Sequence, residues 1–178
     1  MNLWHDIPVG EKAPKEINVI IEISKGSHNK YEIDKETGLI KLDRANYSDA
    51  SYPIEYGFVP QTLWDDGDAV DVLVLATYPI ETGILVSVRP VAIMSMTDDG
   101  ESDDKIICVP SEDVRWEDVK DLKDLNKHTL KEIQHFFENV KKLKKKPVVT
   151  VVHGFKGRAE AEKAITRSQS LYKKKFRN

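Results

Sequence analysis

The chain has 178 residues, 40% apolar and 32% charged, with a formal net charge of −3; that is enough to bury one substantial core and predicts a single domain over residues 1–178. The charge balance supplies no global basic field for nucleic acid, and no run of about 18 apolar residues exists to span a membrane. The lone Cys108 in an apolar run excludes an intrachain disulfide and reads as a core thiol, and the first residues carry no signal-peptide pattern, so a cytoplasmic protein is expected.

Residues 17–23 are apolar and β-branched and predict the first strand. Residues 30–33 and 38–43 predict two more, joined by Asp34-Lys35-Glu36-Thr37 as a hairpin connection. Residues 70–76 and 83–96 are the strongest strand patterns; Arg89-Pro90 in the second predicts a bulge or an edge position, because proline cannot donate to a ladder. Residues 105–109 and 147–152 complete the set. Short strands at this spacing predict a closed or nearly closed barrel. Leu130, Ile133, Phe137 and Val140 recur at helical spacing, with Phe136 and Leu143 widening the stripe. Ala161, Ala164, Ile165, Ser168, Leu171 and Tyr172 do the same from about residue 158, after a turn marked by Gly154 and Gly157. The fold class expected is mainly β with helices (α+β), the two helices packed outside the barrel.

The most informative segment is Asp65-Asp66-Gly67-Asp68-Ala69-Val70-Asp71, which leads directly into an apolar strand. A carboxylate carried into a buried strand, as at Asp71, is disfavoured unless paired or bound to a metal. Clustered carboxylates raise one another's pKa unless a cation intervenes, and a hard cation such as Mg²⁺ prefers carboxylate oxygens. A solvated Asp/Gly turn is the rival reading of Asp65-Asp66-Gly67, but it leaves Asp71 unaccounted for. A calcium EF-hand loop starting at Asp66 needs Gly where Asp71 stands and Glu where Thr77 stands, and it needs helical flanks. A second acidic loop, residues 97–105, reads alone as a polar connection; beside the first it allows two acidic loops to converge on more than one cation. Carboxylate-held metals mostly serve phosphate chemistry, which also needs side-chain cations. Lys30 and Arg44 are candidates, with Tyr52 and Tyr56 nearby in sequence, although each read singly is a surface charge or a core aromatic.

Taken together, these segments resemble the soluble family I inorganic pyrophosphatases of the bacterial type. The resemblance rests on Asp66-Gly67-Asp68-Ala69-Val70-Asp71-Val72 as an Asp-x-Asp-x-x-Asp motif. It extends in order through Ile21-Glu22-Ile23, residues 30–38, Asp43-Arg44, residues 52–57, Arg89-Pro90-Val91, residues 96–105 and His135-Phe136-Phe137-Glu138. It implies an OB-like five-stranded β-barrel and magnesium-dependent hydrolysis of pyrophosphate by a metal-activated water, with several Mg²⁺ ions per site. By matching position, Asp66, Asp71, Asp98 and Asp103 would be metal ligands and Asp68 the general base. Lys30, Arg44, Tyr56 and Lys141 would hold phosphate oxygens, and Glu22, Glu32, Tyr52 and Lys105 would line or support the site. A homohexamer is implied as well. Two positions depart from the pattern: Ala69 stands where Pro or Glu is usual, and Val140 stands where a phosphate-contacting Tyr is usual. Two readings of other classes compete: an OB-type nucleic-acid module and a catalytically silent metal-binding scaffold.

Overall fold

The computed structural model describes residues 1–146 and 148–177. In chain order the strands are β1 (Ile17–Ile23), β2 (Asn29–Ile33), β3 (Ile40–Ala45), β4 (Glu55–Phe58), β5 (Asp71–Val74), β6 (Leu85–Asp98), β7 (Glu101–Ser102) and β8 (Lys105–Pro110). They are followed by α1 (Lys127–Asn139), β9 (Thr150–Gly157) and α2 (Arg158–Phe176). Among the described residues no helix is long and apolar enough to cross a membrane.

Five strands close a ring. β1 pairs with β4, β4 with β5, β5 with β8, β8 with β6, and β6 returns to β1. All these pairings are antiparallel except β5–β8. The ring is an imperfect barrel: register slips between Ile21 and Ile23 and between Pro90 and Ala92. The second slip is the bulge expected at Arg89-Pro90. β9 continues the sheet along the far half of β6, and β2–β3 form a separate hairpin packed against β1.

Both faces of the central strands are buried, as period-2 alternation shows in β8. Ile107 and Val109 pack with Ile133, Phe136 and Phe137 of α1. Ile106 and Cys108 pack with Ala161, Ala164 and Ile165 of α2. Two-sided burial explains why these strands read as continuous apolar runs. Cys108 is fully buried, as expected, and burial pushes its thiol pKa up.

Three sequence expectations are corrected. The last strand begins at Thr150 and runs to Gly157, so Gly154 (φ +137°) sits at a slip inside β9, not in a turn. Pro147, where that strand was expected to start, lies outside the described residues. Gly157 is the N-cap of α2, and the first turn is closed from outside by Asp121, which accepts the Arg158 N–H at 3.0 Å. Leu143 lies beyond the end of α1 and is exposed, because the helix stops at Asn139. β4 was not anticipated.

Candidate active site

The strand pairing explains why two acidic segments meet. Asp71 opens β5 and Lys105 opens β8, and these parallel neighbours place the two residues in register. Asp98 ends β6, and Asp103 lies two residues before Lys105; the tight turn between them uses Asp99 (φ +52°) and Gly100 (φ +85°). Asp66 and Asp68 sit in a compact turn just before β5. The Trp64 N–H donates to the Asp68 carbonyl at 2.7 Å, and the Asp68 N–H donates to Asp66 Oδ1 at 2.9 Å. Gly67 (φ +87°) supplies the left-handed residue this turn needs. From the hairpin, Lys30 and Arg44 face one another across the β2–β3 ladder. Tyr56 comes from β4, and Lys141 follows the end of α1.

These elements enclose a cavity of about 630 Å³. Every residue singled out from the sequence lines it: Asp66, Asp68, Asp71, Asp98 and Asp103; Lys30, Arg44, Tyr56 and Lys141; Glu22, Glu32, Tyr52 and Lys105. Lys35, Thr150 and Trp4 also line it and were missed. Lys35 and Thr150 are ordinary residues of a turn and a strand start, so only the tertiary fold reveals their role. Val140 lines the cavity too.

Lys105 is the electrostatic centre. Its side chain is 2% exposed, and its ammonium donates to Asp71 Oδ2 at 2.7 Å, to Asp103 Oδ1 at 2.8 Å and to the Tyr56 hydroxyl at 3.2 Å. The Tyr56 hydroxyl in turn donates to Asp71. The partner that burial demanded for Asp71 is therefore, in this structure, a protein cation. Burial works against the charge on Lys105, but Asp71 and Asp103 outweigh it and raise its pKa. Other carboxylates also turn to lysines: Asp68 pairs with Lys35, and Asp98 with Lys141 and the Thr150 hydroxyl. Burial opposes ionisation of Asp98, yet the bonds from Lys141 and Thr150 bring its pKa below the usual range. Lys30 pairs with Glu32 at 2.6 Å and with Asp43 at 3.2 Å, and Arg44 pairs with Asp43.

The pairing is incomplete. Ten carboxylates line the cavity against six cationic side chains. Burial and the charge of Asp71 push Glu22 up to about 8, although the Ile33 N–H donates to it at 2.6 Å. Burial, with a contribution from Asp71, raises Asp103 to about 6, and burial likewise raises Asp66. Burial also lifts Tyr56 well above its ordinary value and Tyr52 to about 12, so both phenols stay protonated donors at neutral pH. Among the described residues no three carboxylate, imidazole or thiol groups lie close enough to hold one ion. The donor set nonetheless fits a hard divalent cation, being oxygen throughout and short of positive charge. A cavity with surplus carboxylates and several lysine and arginine heads can take up cations and a compact polyanion together.

A family model described as "Inorganic pyrophosphatase" matches residues 19–173. The chain is 47% identical over 169 residues to a soluble inorganic pyrophosphatase of Zea mays, covering 95% of this chain and 78% of that protein. It is 44% identical to an inorganic pyrophosphatase of Haloferax volcanii, with 99% of both chains covered. The crystal structure of inorganic pyrophosphatase from Thermus thermophilus superposes with a TM-score of 0.94 at 42% identity, covering 97% of this chain and 99% of that one.

Proposed function

The chain belongs to the inorganic pyrophosphatase family, and from that membership we propose how its cavity hydrolyses pyrophosphate to two orthophosphates. The observation that carries the reading is the meeting of Asp66, Asp68, Asp71, Asp98 and Asp103 with Lys30, Arg44 and Lys141 in one cavity. Asp66, Asp71, Asp98 and Asp103 would hold the divalent cations, several per site, and the all-oxygen donor set favours Mg²⁺. When bound, the ions would offset substrate charge and lower the pKa of a coordinated water. Asp68 accepts the proton of the attacking water. The water oxygen bonds to one phosphorus as the bridging P–O bond breaks, and the departing phosphate keeps that bond's electron pair. Lys30, Arg44, Lys141 and the Tyr56 hydroxyl hold phosphate oxygens and stabilise the charge that develops. Substrate binding then exchanges carboxylate partners of the basic groups for phosphate oxygens. Glu22, Glu32, Tyr52 and Lys105 keep these groups in place.

Phosphate release from pyrophosphate, with and without Mg²⁺, tests the reading. Wild type is expected to need Mg²⁺, and Asp68→Asn to lose at least about a hundredfold in kcat. Magnesium-independent release, or full activity in the variant, would reject the mechanism. The silent-scaffold alternative predicts no release at all. The nucleic-acid alternative predicts salt-sensitive retention of single-stranded DNA. The same reading includes one domain, residence in the cytoplasm and a homohexamer; sedimentation should give about six times the 20.3 kDa chain mass.

A further inference from the structure

Trp4 lines the cavity and is 3% exposed. Its indole N–H donates to the Thr62 carbonyl at 2.8 Å in a buried contact. Thr62 is fully enclosed; its hydroxyl donates to the Val59 carbonyl at 2.6 Å and accepts the Val70 N–H at 3.0 Å. A buried, directional chain of bonds therefore runs from the N-terminal segment to the residue immediately before Asp71. Trp4 shares an apolar cluster with Ala69 of the same loop.

A second connection runs through Gln61. Its φ of +54° is unfavourable for a residue with a Cβ. Gln61 donates its backbone N–H to the Trp4 carbonyl and its side-chain amide to the His5 carbonyl, each at 2.9 Å. The N-terminal segment is itself fixed to α2. The His5 ring is bonded to the Tyr172 hydroxyl at 2.7 Å, and Trp4 stacks on His5 at 4.7 Å between ring centres. Strained backbone persists where its surroundings over-determine it, and buried hydrogen bonds are costly to leave unmade.

We propose that Trp4 is a positioning residue for the aspartate loop: through Thr62 and Gln61 it fixes the backbone carrying Asp66, Asp68 and Asp71, and so sets the loop's affinity for a divalent cation. The inference rests on the reading of Asp66 and Asp71 as ligands. It differs from a purely structural role, which would lower stability but leave the cation affinity of the folded protein unchanged.

The test is calorimetric titration of Mg²⁺ into metal-stripped protein without substrate, alongside melting curves. Trp4→Phe keeps a ring in the cluster but removes the donor, and the Kd for Mg²⁺ is expected to rise about fivefold. Trp4→Ala is expected to bind more weakly still. Gly157→Ala, at the N-cap of α2, where a Cβ would meet the capping Asp121 carboxylate at 2.5 Å, and away from the mid-helix Ser168 contact with Leu63, is expected to lower the melting temperature with an unchanged Kd. Wild-type affinity in both Trp4 variants overturns the inference, as does equal weakening in all three. Trp4→Phe keeps the test decisive if Trp4→Ala does not fold. A wild-type protein that takes up no Mg²⁺ rejects the ligand reading itself, and the inference falls with it.

Discussion

At the scale of single residues, Val140 bears most directly on substrate affinity. It caps α1, giving its N–H to the Phe136 carbonyl at 2.8 Å, and packs with Phe136 and Phe137 while lining the cavity. Its neighbour Lys141 is the proposed phosphate ligand. A valine there extends the apolar stripe but gives the cavity no donor. A tyrosine would keep the packing and carry a hydroxyl toward the phosphate oxygens. A hydrogen bond to a charged group contributes roughly 1.5–3 kcal/mol, so Val140→Tyr should lower the KM for magnesium pyrophosphate about tenfold, with kcat little changed. Steady-state kinetics at fixed free Mg²⁺ measure this; a KM that stays put or rises defeats the idea.

At the scale of elements, Gly57 controls how β4 reaches the site. A Cβ there would lie 2.1 Å from the Ile20 carbonyl oxygen and 2.9 Å from its carbon, both backbone atoms of β1 that cannot swing aside. The β1–β4 ladder would have to open, next to Tyr56. Gly57→Ala should therefore cost about 3 kcal/mol, at the upper end of overpacking effects, read as a fall in the urea midpoint; an unchanged midpoint would show that the ladder gives freely. The same close approach explains why β4 was not legible in the sequence. Residues 52–58 mix proline, glycine and aromatics, and what makes 55–58 a strand is the approach of β1, not its own pattern. Elements whose pattern comes from two-sided burial, such as β1, β5, β6 and β8, were legible. So were the helical stripes, since Ile133, Phe136 and Phe137, like Ala161 and Ile165, recur at the spacing of one face. Around the cavity, the acidic motif and the family resemblance together picked out side chains that do converge. Trp4, Lys35 and Thr150 were not legible, because Trp4 and Thr150 take their places through contacts 58 and 52 residues away in sequence and Lys35 through its pairing with Asp68. The pairing of Asp71 with Lys105 was likewise hidden, although both residues had been picked out, because a parallel register is invisible without the crossover between them.

At the scale of the whole molecule, the cavity's surplus of carboxylates couples folding to protons and cations. Glu22, raised to about 8, and Asp103, raised to about 6, hold their protons more tightly in the folded protein than in the unfolded chain. Their contribution to stability is fully present below the unfolded carboxylate pKa and is lost as pH rises through 6 and then 8. Asp34, held near 2 mainly by the Thr37 N–H, gives a contribution lost only in strong acid, so it is constant across this window. His5, lowered by burial, acts in the opposite sense as pH falls below its ordinary value. Each tenfold difference in proton affinity is worth about 1.4 kcal/mol, so the carboxylates prevail over the single imidazole. In EDTA, the protein should melt at a higher temperature at pH 5.5 than at pH 8, by on the order of 5 °C. Glu22→Gln should flatten that slope by removing its largest source. On the proposed ligand set, Mg²⁺ competes with the proton on Asp103 and, as a cation in the same cavity, disfavours the one on Glu22, so it should raise the melting temperature more at pH 8 than at pH 5.5. Calorimetric scans at the two pH values, with and without Mg²⁺, decide the matter: a metal-free protein as stable at pH 8 as at pH 5.5, or a magnesium gain larger at the lower pH, would mean that the surplus charge is already neutralised by the lysines of the fold.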